Sequence, residues 1–482
     1  MMYSKKDTFI FFVLLFLAGF LLTPIHSNAQ LSLPELSFET TIIANSNDTT
    51  PFWIQSNRHG IFAPNGSQVL TRLQAHSTNN QLTNQLTLSY GVDFIARPGK
   101  QSTNNFNQGY LQLEGYGVYL QAGRFNYSSP ITDVELGMGS LGVSGNASPI
   151  PQIRAGFSDW TSLPFTQDFI QIKGHMAHGW LGSRRLTENL LYHEKVGHAR
   201  FGGSIPLNLY GGMAHYAKWG GTHPRFGELP STFEDFFRVA IAIGGDENAP
   251  PGERDYMLGD HLGAWDFGFF LEFNNLDVKG YRQFPLETKD NLKLKSPQDA
   301  LTGILLEFDN EFILPISKLV YEYMYTKWQD GPRVVNEVDG VPCNELPSGT
   351  CRDMSQGNEN YYNHGIYQTG WAYNRRTIGN PIFTLRDDNL GIDNNRIVAH
   401  HIGLQSVIGS TTLHGKLTYS RNFGTRSDPF ESQRNQYSTI VGAERVFQFN
   451  GPPLTISTEI AYDRGSLIGT QFGVVLGIKW VM

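Results

Sequence analysis

The chain has 482 residues, a formal net charge of −7, 17% charged residues and two cysteines. A mild acidic balance with no basic stripe excludes a nucleic-acid-binding footprint, and two cysteines exclude a disulfide-dense scaffold. Its 51 glycines, 32 phenylalanines, 21 tyrosines and 8 tryptophans are too many for an average soluble domain; they suit strands with aromatic residues on one face and small residues on the other.

Lys5 and Lys6 precede an apolar run from Phe9 to Leu22, and Ser27, Asn28 and Ala29 form a small-x-small pattern before Gln30. The run is shorter than the roughly twenty residues of a spanning helix. A cleaved signal peptide over residues 1–29 is the expectation, with residues 30–482 exported to the outer membrane of a Gram-negative bacterium.

From there the dominant signal has period two. Leu86, Leu88, Tyr90, Val92, Phe94 and Ala96 alternate with Thr87, Ser89, Gly91 and Asp93. Further on, Ser231, Thr232, Phe233 and Glu234 read as a capping box, with Phe236, Phe237 and Ala240 following at helical spacing. Trp265, Phe267, Phe269 and Leu271 then alternate with Asp266, Gly268 and Glu272. Ser296, Pro297, Gln298 and Asp299 offer a second helix start or a capped turn. Ile304, Leu306 and Phe308 alternate with Gly303, Glu307, Asp309 and Glu311, and Leu319, Tyr321, Tyr323 and Tyr325 with Val320, Glu322 and Met324.

An unpatterned region of about 326–395 follows. A length of this kind marks a functional loop, expected to face the cell exterior or to fold inward over the pore. Cys343 and Cys351 flank Pro347, Ser348 and Gly349, a turn-forming run; in an exported chain a disulfide closing this small loop is expected. Tyr361, Tyr362, Tyr367, Trp371, Tyr373, Arg375 and Arg376 come next. Aromatic faces suit the C–H side of a sugar and guanidinium forks suit its hydroxyls and carboxylates, so these seven are the glycan-binding candidates; a compact loop packing its own rings is the compatible alternative. Alternation returns at Leu454, Ile456, Ile460 and Tyr462, and ends with Phe472, Val474, Leu476, Ile478, Trp480 and Met482.

Segments of about ten residues with one apolar face are the length of a tilted strand crossing a bilayer. Roughly sixteen to twenty of them predict an all-β, antiparallel transmembrane barrel that meets lipid outside and turns charge inside. Asp266, Glu272, Glu307, Asp309, Glu311 and Glu322 then become lumen acids, paired with bases or a plug, or lining a cation-favouring pore. His175, His178, His193, His198, His215 and His223 show no i, i+2 pair, and His175 and His178 point to opposite faces of a regular strand. Neither a metal, a cofactor nor a nucleophile-elbow sequence is expected.

Several segments together resemble the Wzi-type capsule assembly proteins in their Bacteroidetes form. These are Thr50–Gly60, Leu136–Gly145, Pro149–Ile153, His215–Gly221, Gly259–Gly263, Gly365–Trp371 and Gly379–Pro381. The resemblance spans essentially the whole exported chain. It implies about eighteen strands, short helices closing the periplasmic end or the lumen, and a lectin-like, non-enzymatic protein. Such a protein binds capsular or extracellular polysaccharide and works beside the machinery that exports it. A diffusion channel or porin, and a barrel enzyme acting on lipid or glycan, are the alternatives. The cysteine pair yields a direct check: thiol labelling of the exported protein without reductant is expected to find no reactive thiol. The short loop limits the stabilisation to about 2–3 kcal/mol at most.

Overall fold

The computed structural model describes residues 32–98, 106–288, 292–294, 296–309, 315–329, 337–342, 345–346 and 359–482. Residues 1–29, Glu311 and the Cys343–Cys351 pair lie outside the described residues.

Eighteen antiparallel strands close into one barrel. They are β1 (Glu35–Asn45), β2 (Gln68–Thr83), β3 (Leu86–Ala96), β4 (Phe106–Gly115), β5 (Val118–Arg124) and β6 (Gln152–Phe157). Then come β7 (Ile170–Trp180), β8 (Leu191–Phe201), β9 (Leu207–Trp219), β10 (Asp260–Glu272), β11 (Leu276–Leu286) and β12 (Ala300–Phe308). The circuit ends with β13 (Lys318–Tyr325), β14 (Ile397–Ile408), β15 (Thr411–Gly424), β16 (Pro429–Phe447), β17 (Leu454–Gly465) and β18 (Gln471–Val481). Each strand pairs with its chain neighbours. β18 returns to β1, from Ser37 opposite Val481 to Asn45 opposite Gly473, so no edge is left.

The alternation read from the sequence sets the two faces. Val92, Phe94, Phe267, Ile304, Tyr321, Ile456, Ile460, Tyr462, Phe472, Leu476, Ile478 and Trp480 are exposed on the outside. Their neighbours Asp93, Asp266, Glu322, Glu459, Asp463 and Val475 are buried on the inside. Among the described residues no helix is long and apolar enough to cross a membrane. The closed barrel's apolar outer face is the surface suited to lipid.

Connections at the terminus-bearing end are mostly short: two residues join β2 to β3, β4 to β5 and β14 to β15. At the other end the connections are long, notably 125–151, 220–259 and 326–396. Short turns belong to the periplasmic side and long loops to the exterior. Among the described residues three short α-helices sit in the long connections: α1 (Phe52–Gln55), α2 (Phe233–Ala240) and α3 (Pro251–Asp255). The expectation of short helices at the periplasmic end or in the lumen is met in the lumen by α1; among the described residues none closes the periplasmic end. α1 lies in the lumen near the loop end, and α2 and α3 belong to the loop joining β9 to β10. The capping box also shifts by one residue. Thr232 is the N-cap, its N–H donates to Asp235 (2.7 Å), and the Asp235 N–H donates to its hydroxyl (3.3 Å). Ser296–Asp299 forms a turn ahead of β12.

Leu476 lies mid-strand on the outer face and is 52% exposed. Replacing it with Arg sets a charge in hydrocarbon and is expected to cost about 2–4 kcal/mol. Urea titration of the protein refolded into lipid vesicles measures this, and an unchanged midpoint would contradict the assigned lipid face.

Candidate functional site: a filled lumen and a cleft at its loop end

Inward strand positions present polar groups that need partners away from water. Three connections enter the lumen and supply them. From the first, α1 places the Phe52 N–H on Asp463 (2.7 Å), the Trp53 indole N–H on Thr418 (3.1 Å) and Arg58 on Glu459 (2.7 Å). From the second, 125–151, the Met138 N–H donates to Glu322 (2.5 Å) and the Leu141 N–H to Gln283 (3.0 Å), while the Leu136 carbonyl lies 2.6 Å from His401 Nε2. Gly142 lets this segment approach the wall, because a Cβ there would lie 2.3 Å from the Tyr216 ring.

The third connection, 326–396, locks onto the second. The Trp371 indole N–H donates to the Gly142 carbonyl (2.8 Å), and the Tyr362 hydroxyl donates to the Leu141 carbonyl and accepts from the Asn380 N–H (2.8 Å). Tyr361 donates to Asp299 (2.8 Å). Lys218, wholly buried on β9, donates to the Gly370 carbonyl and pairs with Asp260 (2.7 Å). Met138, Leu141, Tyr216, Tyr361, Tyr362, Tyr367, Trp371 and Phe383 share one apolar core. Lower down, Trp160 enters from the turn after β6, beneath Arg200 (4.8 Å), beside a cluster of Ile131, Tyr210 and Tyr281.

This placement decides the fate of the sequence candidates. Tyr361, Tyr362, Tyr367, Trp371 and Tyr373 are buried as plug core. Arg376 donates inward to the carbonyls of Gln55 (2.9 Å) and Phe62 (2.6 Å). Arg375 alone is exposed, reaching the Asp387 carbonyl at 3.5 Å. The seven do not gather as an exposed aromatic surface, because the five aromatic side chains pack into the core shared with the second connection. Of the lumen acids, Glu322 is a plug anchor that also accepts from the Tyr281 hydroxyl (2.5 Å). Asp266 accepts from Gln283 (2.7 Å) and faces His198 Nε2 (3.0 Å). Glu307 pairs with Lys318 (3.1 Å), and Glu272 stands opposite Asp277 near the turn end. Asp309 falls beyond the end of β12, in the turn, so it is not on an inner strand face. His175 faces inward onto Glu194 (2.7 Å) and His178 faces out, as the period of two requires.

One accessible feature is a cleft of about 720 Å³ at the loop end. One wall is Arg386–Asp393 of the third connection; the other is Asp428–Arg434 at the start of β16. There the β15–β16 register breaks between Asn422 and Gly424, which turns the Phe430–Arg434 stretch toward the cleft. Arg434 stacks over the Phe430 ring (3.8 Å), and Arg386 lies 3.6 Å from Asp428 and 3.8 Å from Asp388. Asp393 bonds the Thr384 hydroxyl, and burial raises its pKa. Five carboxylates (Asp387, Asp388, Asp393, Asp428 and Glu431) face two guanidiniums, so the cleft is rich in acceptors and net acidic. Sequence reading missed it. Its residues are individually ordinary, and Asp387 and Glu431 become neighbours only through the fold.

No family model and no curated protein sequence matches the chain. Among solved structures it is similar to Wzi, an outer-membrane protein involved in group 1 capsule assembly in Escherichia coli and described as a carbohydrate-binding β-barrel. Identity is 12% and the TM-score 0.55, over 99% of this chain and 89% of that one. The fold is that of an outer-membrane barrel. Looser similarities link it to OprD (7% identity, TM-score 0.48, 95% of each chain) and OccK3 (8%, 0.48, 93% and 95%), both of Pseudomonas aeruginosa.

Acids at the plug's loop end carry a pH dependence. Burial pushes Asp299 up to about 6 from an ordinary 3.8, against the hydrogen bonds from Tyr361, Gln329 and Trp328. Burial and the neighbouring Glu359 raise Glu287 well above its usual value. A carboxyl whose folded pKa is raised favours the fold when protonated, and that contribution is lost as pH rises through the folded value. Thermal unfolding in detergent is expected to show Asp299→Asn gaining stability relative to wild type as pH rises from 5 to 7.5. A difference between the two proteins that stays constant over this range would contradict this.

Proposed function

We propose that this chain is a non-catalytic, Wzi-type outer-membrane protein that holds capsular or extracellular polysaccharide at the cell surface, and that the Arg386–Arg434 cleft takes the polymer. The observation that supports this reading is an outward-opening, acceptor-rich cleft on a barrel whose lumen is filled by its own loops. A filled lumen disfavours free diffusion, so the surface that meets the exterior is the loop end. The cleft offers what a sugar chain needs. Carboxylates accept from hydroxyls, Arg386 and Arg434 donate, and the Phe430 ring gives an apolar face for C–H groups. Its net negative charge favours neutral or amine-bearing sugars over uronates. Arg375 is the sequence candidate that stands at its edge. The Wzi-like fold agrees with this reading, as does the set of segments that resemble that family.

Affinity at one cleft is expected to be modest, with retention arising when one polymer meets many barrels. Replacing Phe430 and Arg434 together with Ala removes the stacked face and a donor. The expected outcome is about a tenfold weaker binding of purified surface polysaccharide and release of polymer into the medium without loss of synthesis. Boiled and unboiled gel mobility checks that the variant still forms a barrel. Wild-type retention by a folded double variant would sink the cleft assignment. A steady open-channel conductance of the wild-type protein would favour a porin instead.

A further inference from the structure

We propose that the lobe between β9 and β10, residues 230–258, is seated in the outer leaflet, with Phe233, Phe237 and Ile241 against lipid acyl chains.

The argument starts from the outer wall. Strand register aligns His178 on β7 with His193 on β8, then Ala217 on β9, then His261 on β10. The next outward row toward the membrane centre is Met176, Lys195, His215 and Gly263. All are outward positions, in phase with the exposed Phe201, Leu209 and Phe267 further down the same strands. Hydrocarbon does not solvate four imidazoles and an ammonium. The lobe covers them and supplies partners to Lys195 and His261. The Lys195 ammonium donates to the Ala240 carbonyl at the C-terminal end of α2. His261 Nε2 lies 2.9 Å from the Leu258 carbonyl, and His215 Nε2 lies 2.8 Å from His261 Nδ1. The Phe236 ring meets His178 (5.8 Å), His193 (5.3 Å) and Trp219 (6.3 Å). Val239, Ala249 and Leu258 close an apolar cluster with Ala217 and Trp219.

A cover over part of a lipid-facing wall becomes the lipid-facing surface itself. Its outer side has that character: Phe233, Phe237 and Ile241 recur at every fourth position and are 54%, 52% and 63% exposed. Glu234 and Arg238 pair at 2.6 Å along the flank, the arrangement of an interfacial helix with a polar edge. The depth agrees. Lys195 lies opposite His215, four residues below the strand-end Trp219. At about 3.3 Å per residue and a tilt of about 40°, that is roughly 10 Å below the strand end, within reach of the acyl boundary. The exposed Trp180 and Met176 beside the lobe continue the same apolar surface.

Spin labels test the seating in the full-length protein. In a Cys343→Ser, Cys351→Ser background, single Phe233→Cys, Phe237→Cys and Ile241→Cys variants are labelled and reconstituted in phosphatidylcholine vesicles. Leu209→Cys serves as a lipid-side control and Ser427→Cys as a water-side control. The expected result is that collisions with oxygen exceed those with a water-soluble nickel chelate at all three positions, as at Leu209 and in reverse of Ser427. Labels that follow Ser427 would place the lobe in water and overturn the proposal. Labels shielded from both reagents and broadened by spin–spin coupling would identify a second copy as the occupant and overturn it too. Because these side chains point away from the wall, a labelled variant that loses its barrel would itself contradict the assigned orientation.

Discussion

A backbone crossing hydrocarbon must find a partner for every N–H and C=O within the protein. The pairing of β1 with β18 meets that demand at the one place where an antiparallel sheet would otherwise end. Closure then dictates the rest. Each strand has an outside and an inside, successive residues alternate between them, and the chain must carry apolar residues on one parity and something else on the other.

What occupies the inner parity sets the second constraint. Glu322, Gln283, His401, Asp463, Thr418 and Lys218 are polar groups that the loops filling the lumen shut off from bulk water. Each meets an inward-folded loop. The segments that resemble the Wzi-type proteins converge on this plug. Trp53 and Arg58, the glycine-rich Leu136–Gly145 stretch, Lys218 with Asp260, and Trp371 with Asn380 all take part in its contacts. These segments therefore describe how the lumen is filled, and the exposed cleft lies outside them.

The loop that fills the lumen also builds the rim. Residues 359–383 descend and bury their rings, while 386–393 return to the surface and face the β15–β16 hairpin across the cleft. Ile392 belongs to the buried core, which joins the plug to the cleft wall formed by Arg386 and Asp393. The loop between β9 and β10 takes the opposite course, folding over the outside of the wall rather than into it. The outward polar rows of β7–β10 make that direction favourable, since they too need partners.

The sequence by itself determined the barrel, because period-two alternation is local: Phe472, Leu476 and Trp480 share a face in any extended strand. It also gave the inward parity of Asp266 and Glu322 and the opposed directions of His175 and His178. It marked the helix at Phe233 to within one residue and flagged 326–395 as unusual. It did not determine which way that loop turns. Tyr361, Tyr367 and Trp371 read equally well as a sugar platform or as a core. Only contact with Leu141 and Gly142, more than two hundred residues away, decided for the core. Nor did local pattern show that Glu322 would meet Met138, or that Asp387 would face Glu431. Alternation fixes the side of the wall on which a residue stands. Which group it meets there is a property of chain segments brought together by closure, and only the tertiary structure decided it.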